Sequence, residues 1–326
     1  MINKKILVSG VKPTGKLHIG NYFGALKQFV DLQDQYDNRI FIADLHALTS
    51  QQDSNILRKD IQNMLLDYLA IGLDPQKVTL YKQSDIPEVA ELSWIFSCIT
   101  TMPYLMRAHA FKDSEAKNKE INVGVYNYPL LMAADILLPG ADVVPVGKDQ
   151  KQHVEIARDT AVKFNRIFNE TFKSPQEIII ENVMTVPGID GQKMSKSYGN
   201  TIELFAEDDD IKKAVMSIVT DSKSPDESKD PETDNIFALH KLFTEDSELE
   251  DLKRRYDKGG IGYKESKEIL LKNITSFITP LREKRKELEK DKDLVRTILH
   301  EGKNKIRPIV EEKMNEIREN VGLTIK

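Results

Sequence analysis

Two short stretches carry most of the side chains that could do chemistry. PTGKLHIGN, residues 13–21, places two glycines and His18 where an apolar run gives way to a helical pattern. GIDGQKMSKSYGNTI, residues 188–202, holds Lys193 and Lys196. Amide groups at a helix N-terminus favour a phosphate, an imidazole can donate to one, and lysines supply point charges. Either stretch alone is more typical of an ordinary loop, but the pair predicts a phosphate clamp.

The elements that must position these residues form an alternating pattern. Apolar runs of buried-strand length are separated by amphipathic helical patterns, one of which begins at Asp53 or Ser54 and ends near Gly72. This order predicts a parallel sheet with helices on both faces, an α/β fold. Helical patterns alone continue from about 203 to 300. The expected strands are residues 4–8, 39–45, 78–83 and 141–147. Residues 177–183 are expected to be either the last strand or a short excursion beside it.

Composition limits the class of protein. The 326 residues are 40% hydrophobic and 30% charged, which fits a soluble protein of two domains without a signal peptide or membrane span. The single cysteine, Cys98, excludes an internal disulfide and a four-cysteine zinc or iron–sulfur site, and it fits a reducing cytoplasm. The net charge of −5 means that a nucleic-acid partner would need a local basic patch.

Two polar segments in the C-terminal half allow more than one interpretation. Residues 281–307 contain ten Lys/Arg and six Asp/Glu, a local excess of four positive charges. This pattern is typical of a solvated helix face with ion pairs four residues apart, and an RNA contact is the alternative. Residues 221–234, DSKSPDESKDPETD, are typical of a mobile loop.

Taken with their neighbours, the two stretches resemble the signatures of the class I aminoacyl-tRNA synthetases. Asn21 stands where many members have a second histidine, which resembles the tryptophanyl group. SGVKPTGKLHIGNYFGAL, FIADLHALT, YPLLMAADILL, VPVGKDQKQHVEIARDTAVKFN and DGQKMSKSYGNTI are all similar to that group and occur in the same order. The resemblance is strong over about residues 5–205 and weaker beyond.

The resemblance implies a fold, a reaction and partners. The fold would be a Rossmann-like catalytic domain at 1–202, an all-helical anticodon-binding domain at 203–302, and a C-terminal helix at 303–326 that returns toward the first. The enzyme would form tryptophanyl-adenylate and pyrophosphate from L-tryptophan and ATP, then charge tRNA(Trp). Mg²⁺ would be carried on the ATP phosphates, with no metal held by the protein, no zinc and no iron–sulfur cluster. A cytoplasmic homodimer is expected.

The resemblance also implies site residues. The catalytic residues would be Lys12, His18, Lys193 and Lys196. The tryptophan site would comprise Val8, Gly10, His46, Tyr128, Met132, Asp135, Val144, Val146 and Gln150. The ATP site would comprise Lys12, Pro13, Thr14, His18, Gly20, Asn21, Gly147, Lys148, Asp149, Val183, Met184, Lys193, Met194, Ser195, Lys196 and Ser197. For the apolar members, simple core packing is the competing interpretation.

The choice of tryptophan also has a physical argument. An indole offers one N–H donor and no acceptor, so its partner should be a buried acceptor. Met132 and Asp135 are three residues apart and share a helix face, where a thioether can pack on the ring and a carboxylate can accept the N–H. The alternative for Asp135 is the N-cap of a following helix.

Three positions depart from the family pattern. Lys12 replaces a common Gln, Pro139 replaces a Tyr, and Ser114 replaces a Lys whose role Lys112 or Lys117 could take. Three other functions stay open at this stage. They are a tyrosyl-tRNA synthetase, a nucleotidyltransferase that forms a dinucleotide cofactor, and a catalytically dead paralogue.

Overall fold

The computed structural model describes residues 4–107, 121–147, 151–179 and 186–325. Its strands are β1 Ile6–Val11, β2 Asp37–Ile42, β3 Val78–Lys82, β4 Val143–Val146 and β5 Gln176–Ile179. Its helices are α1 Ile19–Asn21, α2 Lys27–Leu32, α3 Asp44–Ala47, α4 Ser54–Ala70, α5 Glu88–Ile99, α6 Met102–Leu105, α7 Val123–Leu137, α8 Lys151–Ile167, α9 Asp208–Met216, α10 Asn235–Phe243, α11 Asp246–Lys258, α12 Tyr263–Leu288 and α13 Leu294–Asn320. A π-helical stretch, Tyr22–Leu26, joins α1 to α2.

The strands form one parallel sheet in the order β3-β2-β1-β4-β5. The four expected strands are therefore confirmed, with ends shifted by a few residues, and β5 confirms the strand alternative for the segment 177–183. Central strands such as β2 and β4 are almost continuously buried, as expected when helices cover both faces of a sheet. The α/β fold class is confirmed. The sheet brings the carboxyl ends of β1, β2, β3 and β4 to one edge.

The chain divides into two compact units. The first contains residues 1–15, 28–181 and 291–326, and the second contains residues 16–27 and 182–290. The predicted catalytic domain (1–202), anticodon-binding domain (203–302) and terminal helix (303–326) are defined by what each would bind. That division stays a prediction.

The terminal helix α13 belongs to the sheet-containing unit. Gly302 lies against β3 so closely that a Cβ there would be 1.7 Å from the carbonyl oxygen of Leu80. Beyond it, Ile306, Val310, Met314 and Ile317 are buried in the same apolar cluster as the sheet. Because only glycine permits such a close approach of two backbones, Gly302 sets the docking of this helix.

The second unit is helical, with α9 to α12 packed together. The polar segment 221–234 is a folded loop around Lys229, which is 1% exposed and donates to the carbonyls of Ser224 and Glu227. The segment is a loop, as predicted, and most of its residues are exposed. Its mobility stays a prediction. The burial of Lys229 was not predicted, because a charge inside a polar segment gives no hint of burial. His240 is also fully buried, between Thr244 and Ser266.

The α12 part of the basic segment carries many ion pairs. Arg282 contacts Asp208 at 2.8 Å, and Lys286 contacts Glu207 at 2.8 Å. Arg285 pairs with Glu289 four residues later. Acidic partners therefore neutralise much of this face, as the ion-pair interpretation predicts. Within the described stretches, the helices are too short or too polar to cross a bilayer.

Candidate active site

A buried carboxylate marks the chemical centre of the first unit. Tyr128, Met132 and Asp135 are spaced by four and three residues on α7, which places them along one helix face. Asp135 is 3% exposed, whereas the other two side chains are half-buried. Asp135 lies inside the helix and does not begin one, so the alternative N-cap role is wrong.

Two side chains hold the Asp135 carboxylate. His46 Nε2 lies 2.9 Å from Oδ2, and Gln83 Nε2 donates to Oδ1 and Oδ2 at 2.9 and 2.8 Å. Burial raises the pKa of Asp135, whereas the hydrogen bonds from His46 and Gln83 act in the opposite direction. His46 follows β2 and Gln83 follows β3, so both stand at the carboxyl edge of the sheet, where α/β proteins bind ligands.

Gln83 was missed by the sequence analysis. Its only signal is a polar residue directly after a buried strand.

Lys12 lies next to this cluster in the first unit. Its Nζ is 3.4 Å from Thr49 Oγ1 and 5.8 Å from the centroid of the Tyr128 ring. Desolvation lowers the pKa of Lys12. The Tyr128 hydroxyl in turn forms a hydrogen bond with His153 Nε2. The structure therefore brings Lys12, Tyr128 and His46 together, with Pro13 and Thr14 continuing the loop after β1.

The predicted apolar wall consists of residues of the sheet. Val8 in β1 and Val144 and Val146 in β4 are buried in the main apolar cluster, so core packing alone accounts for them. Gly10 lies against the Phe41 ring, where a Cβ would be 2.4 Å from a ring carbon. Gly147 follows β4 directly.

Several predicted residues lie outside the described residues. They are Lys112, Ser114, Lys117, Lys148, Asp149, Gln150, Val183 and Met184.

In the second unit, His18 and Asn21 cap each other at the start of α1. The backbone N–H of His18 donates to Asn21 Oδ1 at 3.1 Å, and the backbone N–H of Asn21 donates to His18 Nδ1 at 3.2 Å. This is a capping box, and it explains why Asn can stand where a histidine is more common. Since Nδ1 is the acceptor, a neutral His18 carries its proton on Nε2.

The loop that contains the sequence KMSKS, residues 193–197, is folded around Asn200, which is 2% exposed. We call it the KMSKS loop. Asn200 Oδ1 accepts from the Ser195 N–H at 2.7 Å, and its Nδ2 donates to Asp190 Oδ1 at 2.7 Å and to the Lys193 carbonyl at 3.2 Å. Met194 is buried, whereas Lys193, Lys196 and Ser197 are exposed. Asn200 is a second residue that the sequence analysis missed.

The two signatures, about 175 residues apart in sequence, meet within the second unit. Ile19 N–H donates to the Ile202 carbonyl at 3.0 Å, and a Cβ on Gly20 would lie 3.3 Å from Met194 Cβ. Burial, and secondarily the charge of Lys196, lowers the pKa of His18 to about 4. His18 is therefore a neutral donor beside a cationic loop, an arrangement suited to phosphate oxygens.

Comparisons with known proteins agree with this geometry. Residues 3–279 match the family described as tRNA synthetases class I (W and Y). The chain is 50% identical to the tryptophan–tRNA ligase of Fusobacterium nucleatum over 317 residues, 97% of each chain, and 47% identical to that of Rhodopirellula baltica. The crystal structure of the Campylobacter jejuni tryptophanyl-tRNA synthetase complexed with ADP and tryptophan superposes with a TM-score of 0.90 at 46% identity. It covers 98% of this chain and 99% of its own.

Proposed function

The chain belongs to the class I tRNA synthetases of the W and Y family, and we propose that it activates L-tryptophan with ATP and charges tRNA(Trp). One observation carries the choice of amino acid. The buried acceptor Asp135 stands on the same helix face as the thioether of Met132, which matches a flat apolar ring with a single N–H donor.

Tryptophan recognition is the task of the first unit. The indole N–H donates to Asp135, and the Met132 side chain packs on the ring. Tyr128 and Gln150 hold the α-amino group. The acceptor rejects rings that lack a donor, because the buried carboxylate would then lose a hydrogen bond.

In the first step, a carboxylate oxygen of tryptophan attacks the α-phosphorus of ATP, supplied as its magnesium complex. The bond to the β-phosphate oxygen breaks, and pyrophosphate leaves with the electron pair. The attacking carboxylate is already ionised, so no general base is needed. His18 donates from Nε2 to a phosphate oxygen, while Lys193 and Lys196 neutralise the leaving pyrophosphate. Lys12 adds charge near the reacting carboxylate.

In the second step, a hydroxyl of the terminal ribose of tRNA attacks the carbonyl carbon of the mixed anhydride. The ester forms, the bond between the carbonyl carbon and the phosphate oxygen breaks, and AMP leaves with the electron pair while the hydroxyl proton passes to a phosphate oxygen. The helical domain at 203–302 reads the anticodon, whose unstacked bases are the usual target of sequence-specific RNA contacts. Ion pairs with Asp208 and Glu207 neutralise much of the α12 face. Contacts to the anticodon bases should therefore contribute more to tRNA binding than the net positive charge of this helix.

We also propose a cytoplasmic homodimer with two-fold symmetry. Three apolar side chains of the first unit are largely exposed: Trp94 at 71%, Met102 at 66% and Val123 at 80%. Contact with a partner subunit would remove the unfavourable exposure of these side chains to water. Trp94 and Tyr128 both line a cavity of about 450 Å³ in the first unit. Sedimentation of the purified chain tests this proposal, and a monomer at micromolar concentration would refute it.

The test of the proposed function is ATP–pyrophosphate exchange with each amino acid in turn, followed by charging of tRNA(Trp). Exchange with tryptophan alone is expected. Exchange with tyrosine would show that the role given to Asp135 and Met132 is wrong. Folded protein without exchange for any amino acid would refute the synthetase activity.

A further inference from the structure

Among the described polar side chains that meet at Asp135, Gln83 is the least exposed. It is 1% exposed and lies in the short turn after β3. Its Oε1 accepts the backbone N–H groups of Leu45 at 3.1 Å and His46 at 3.2 Å. Because those groups can only donate, the orientation of the amide is determined, and Nε2 must point toward Asp135.

The Gln83 amide and His46 contact the two oxygens of the Asp135 carboxylate unequally. Among the described residues, Oδ2 accepts hydrogen bonds from Gln83 and His46, whereas Oδ1 accepts one from Gln83 alone. A carboxylate has about four lone-pair sites, so Oδ1 can take one further donor.

A second effect concerns the ionisation of Asp135. Burial of this side chain favours the neutral acid, which could turn an O–H donor toward the ring. Gln83 opposes this because its Nε2 lies within hydrogen-bond distance of both carboxylate oxygens and stabilises the ionised form. Fixed to the backbone at its other end, Gln83 cannot rotate away.

We infer that Gln83 is a specificity-determining positioning residue, which keeps Asp135 an acceptor with one site open and so selects a substrate ring bearing an N–H. This inference rests on the proposed function. Gln83 acts through Asp135 and does not itself touch the ring.

The test compares two substrates that differ at one atom. β-(3-Benzothienyl)alanine replaces the indole N–H by sulfur and cannot donate. In Gln83→Met, kcat/KM for exchange with tryptophan should fall about 10- to 100-fold, mainly through KM, as for loss of a hydrogen bond to a charged group. The same variant should change kcat/KM for the sulfur analogue by less than about threefold, since no N–H meets Asp135.

Gln33 supplies the matched control. It is 9% exposed, and its amide is also bonded at both ends, to the Gly72 carbonyl at 3.2 Å and the Asp74 N–H at 3.0 Å. Gln33→Met should affect both substrates equally. Equal losses for both substrates in Gln83→Met would overturn the inference, because they would indicate a purely structural role.

A conservative variant keeps the inference testable if Gln83→Met fails to fold. In Gln83→Glu, the new carboxyl can donate to Asp135 only when protonated. Exchange with tryptophan should therefore recover as the pH falls from about 8 to about 6, while the wild type changes little. No recovery would overturn the role of Gln83. Absence of tryptophan exchange in the wild type would instead refute the proposed function.

Discussion

At the scale of single residues, the proposed tryptophan site depends on the buried Asp135 carboxyl and its hydrogen bonds to Gln83 and His46. In Asp135→Asn, an NH₂ group replaces one of the two carboxylate oxygens. This group would face either Gln83 Nε2 or the indole N–H, so in both orientations a donor would meet a donor. We expect kcat/KM for tryptophan to fall about 10- to 100-fold, with KM for ATP nearly unchanged. Steady-state exchange measures both. Asp67→Asn, at a residue that is also 3% exposed, is the control, and an equal loss there would contradict the assignment.

His18 gives a prediction about pH. Its pKa of about 4 means that the side chain is neutral throughout the physiological range. His18→Ala should lower kcat for exchange by about 10²–10³-fold, as for loss of one transition-state donor. The factor should be the same at pH 6 and pH 8. A factor that grows at pH 6 would show that the protonated imidazole is the active form. His300→Ala, at an exposed residue of α13, should have no effect.

At the scale of elements, the KMSKS loop depends on an amide that is absent from the motif itself. Asn200→Ala removes hydrogen bonds to Ser195, Asp190 and Lys193 and should loosen the backbone that carries both lysines. We expect kcat for exchange to fall about tenfold or more. Equilibrium dialysis should show unchanged tryptophan binding without ATP, and weakened binding there would contradict this prediction.

The helices of the second unit contain a buried imidazole that links stability to pH. Burial lowers the pKa of His240 to about 4, with Thr244 and Ser266 satisfying the neutral ring. Between pH 6.5 and 4 the unfolded chain binds a proton that the folded chain does not, so stability falls as pH falls. The loss approaches about 3 kcal/mol near pH 4, at 1.36 kcal/mol per pKa unit.

Urea unfolding at several pH values measures this effect. His240→Asn should be less stable at pH 7.5, where it lacks the bond to Ser266, and should lose less stability on acidification. Since His18 is also held neutral, part of the acid sensitivity should remain in the variant. A variant as acid-sensitive as the wild type would contradict the assignment.

At the scale of the whole molecule, the helix α13 completes the core of the first unit. It buries Ile306, Val310, Met314 and Ile317, each worth about 1.5–3 kcal/mol. Their sum, roughly 6–12 kcal/mol, is comparable with the entire stability of a typical domain. A chain ending at residue 290 should therefore be insoluble or expose an apolar face. Soluble yield and binding of a hydrophobic dye measure this, and a well-folded monomeric truncation would contradict it.

The features that could be predicted from the sequence are those that leave a regular pattern of residues in it. Apolar runs of strand length identified the strands, and the spacing of Met132 and Asp135 identified a helix face. Gln83 and Asn200 escaped because amide side chains have no period, and their roles come from contacts between distant or irregular segments. Gln83 meets Asp135 across 52 residues of sequence. Lys229 escaped because its burial depends on carbonyl groups of its own loop.

The close approach of Gly302 to β3 has a consequence for biosynthesis. The ribosome makes residues 182–290 after all five strands of the described sheet and before α13. At about 5–20 residues per second, that interval lasts roughly 6–20 s. Throughout it, the sheet of the first unit lacks its covering helix and presents apolar side chains to other nascent chains. Expression at a lower temperature, or together with a holdase chaperone, should therefore raise the yield of native protein. The gain should exceed that from substitutions on the surface of the folded protein.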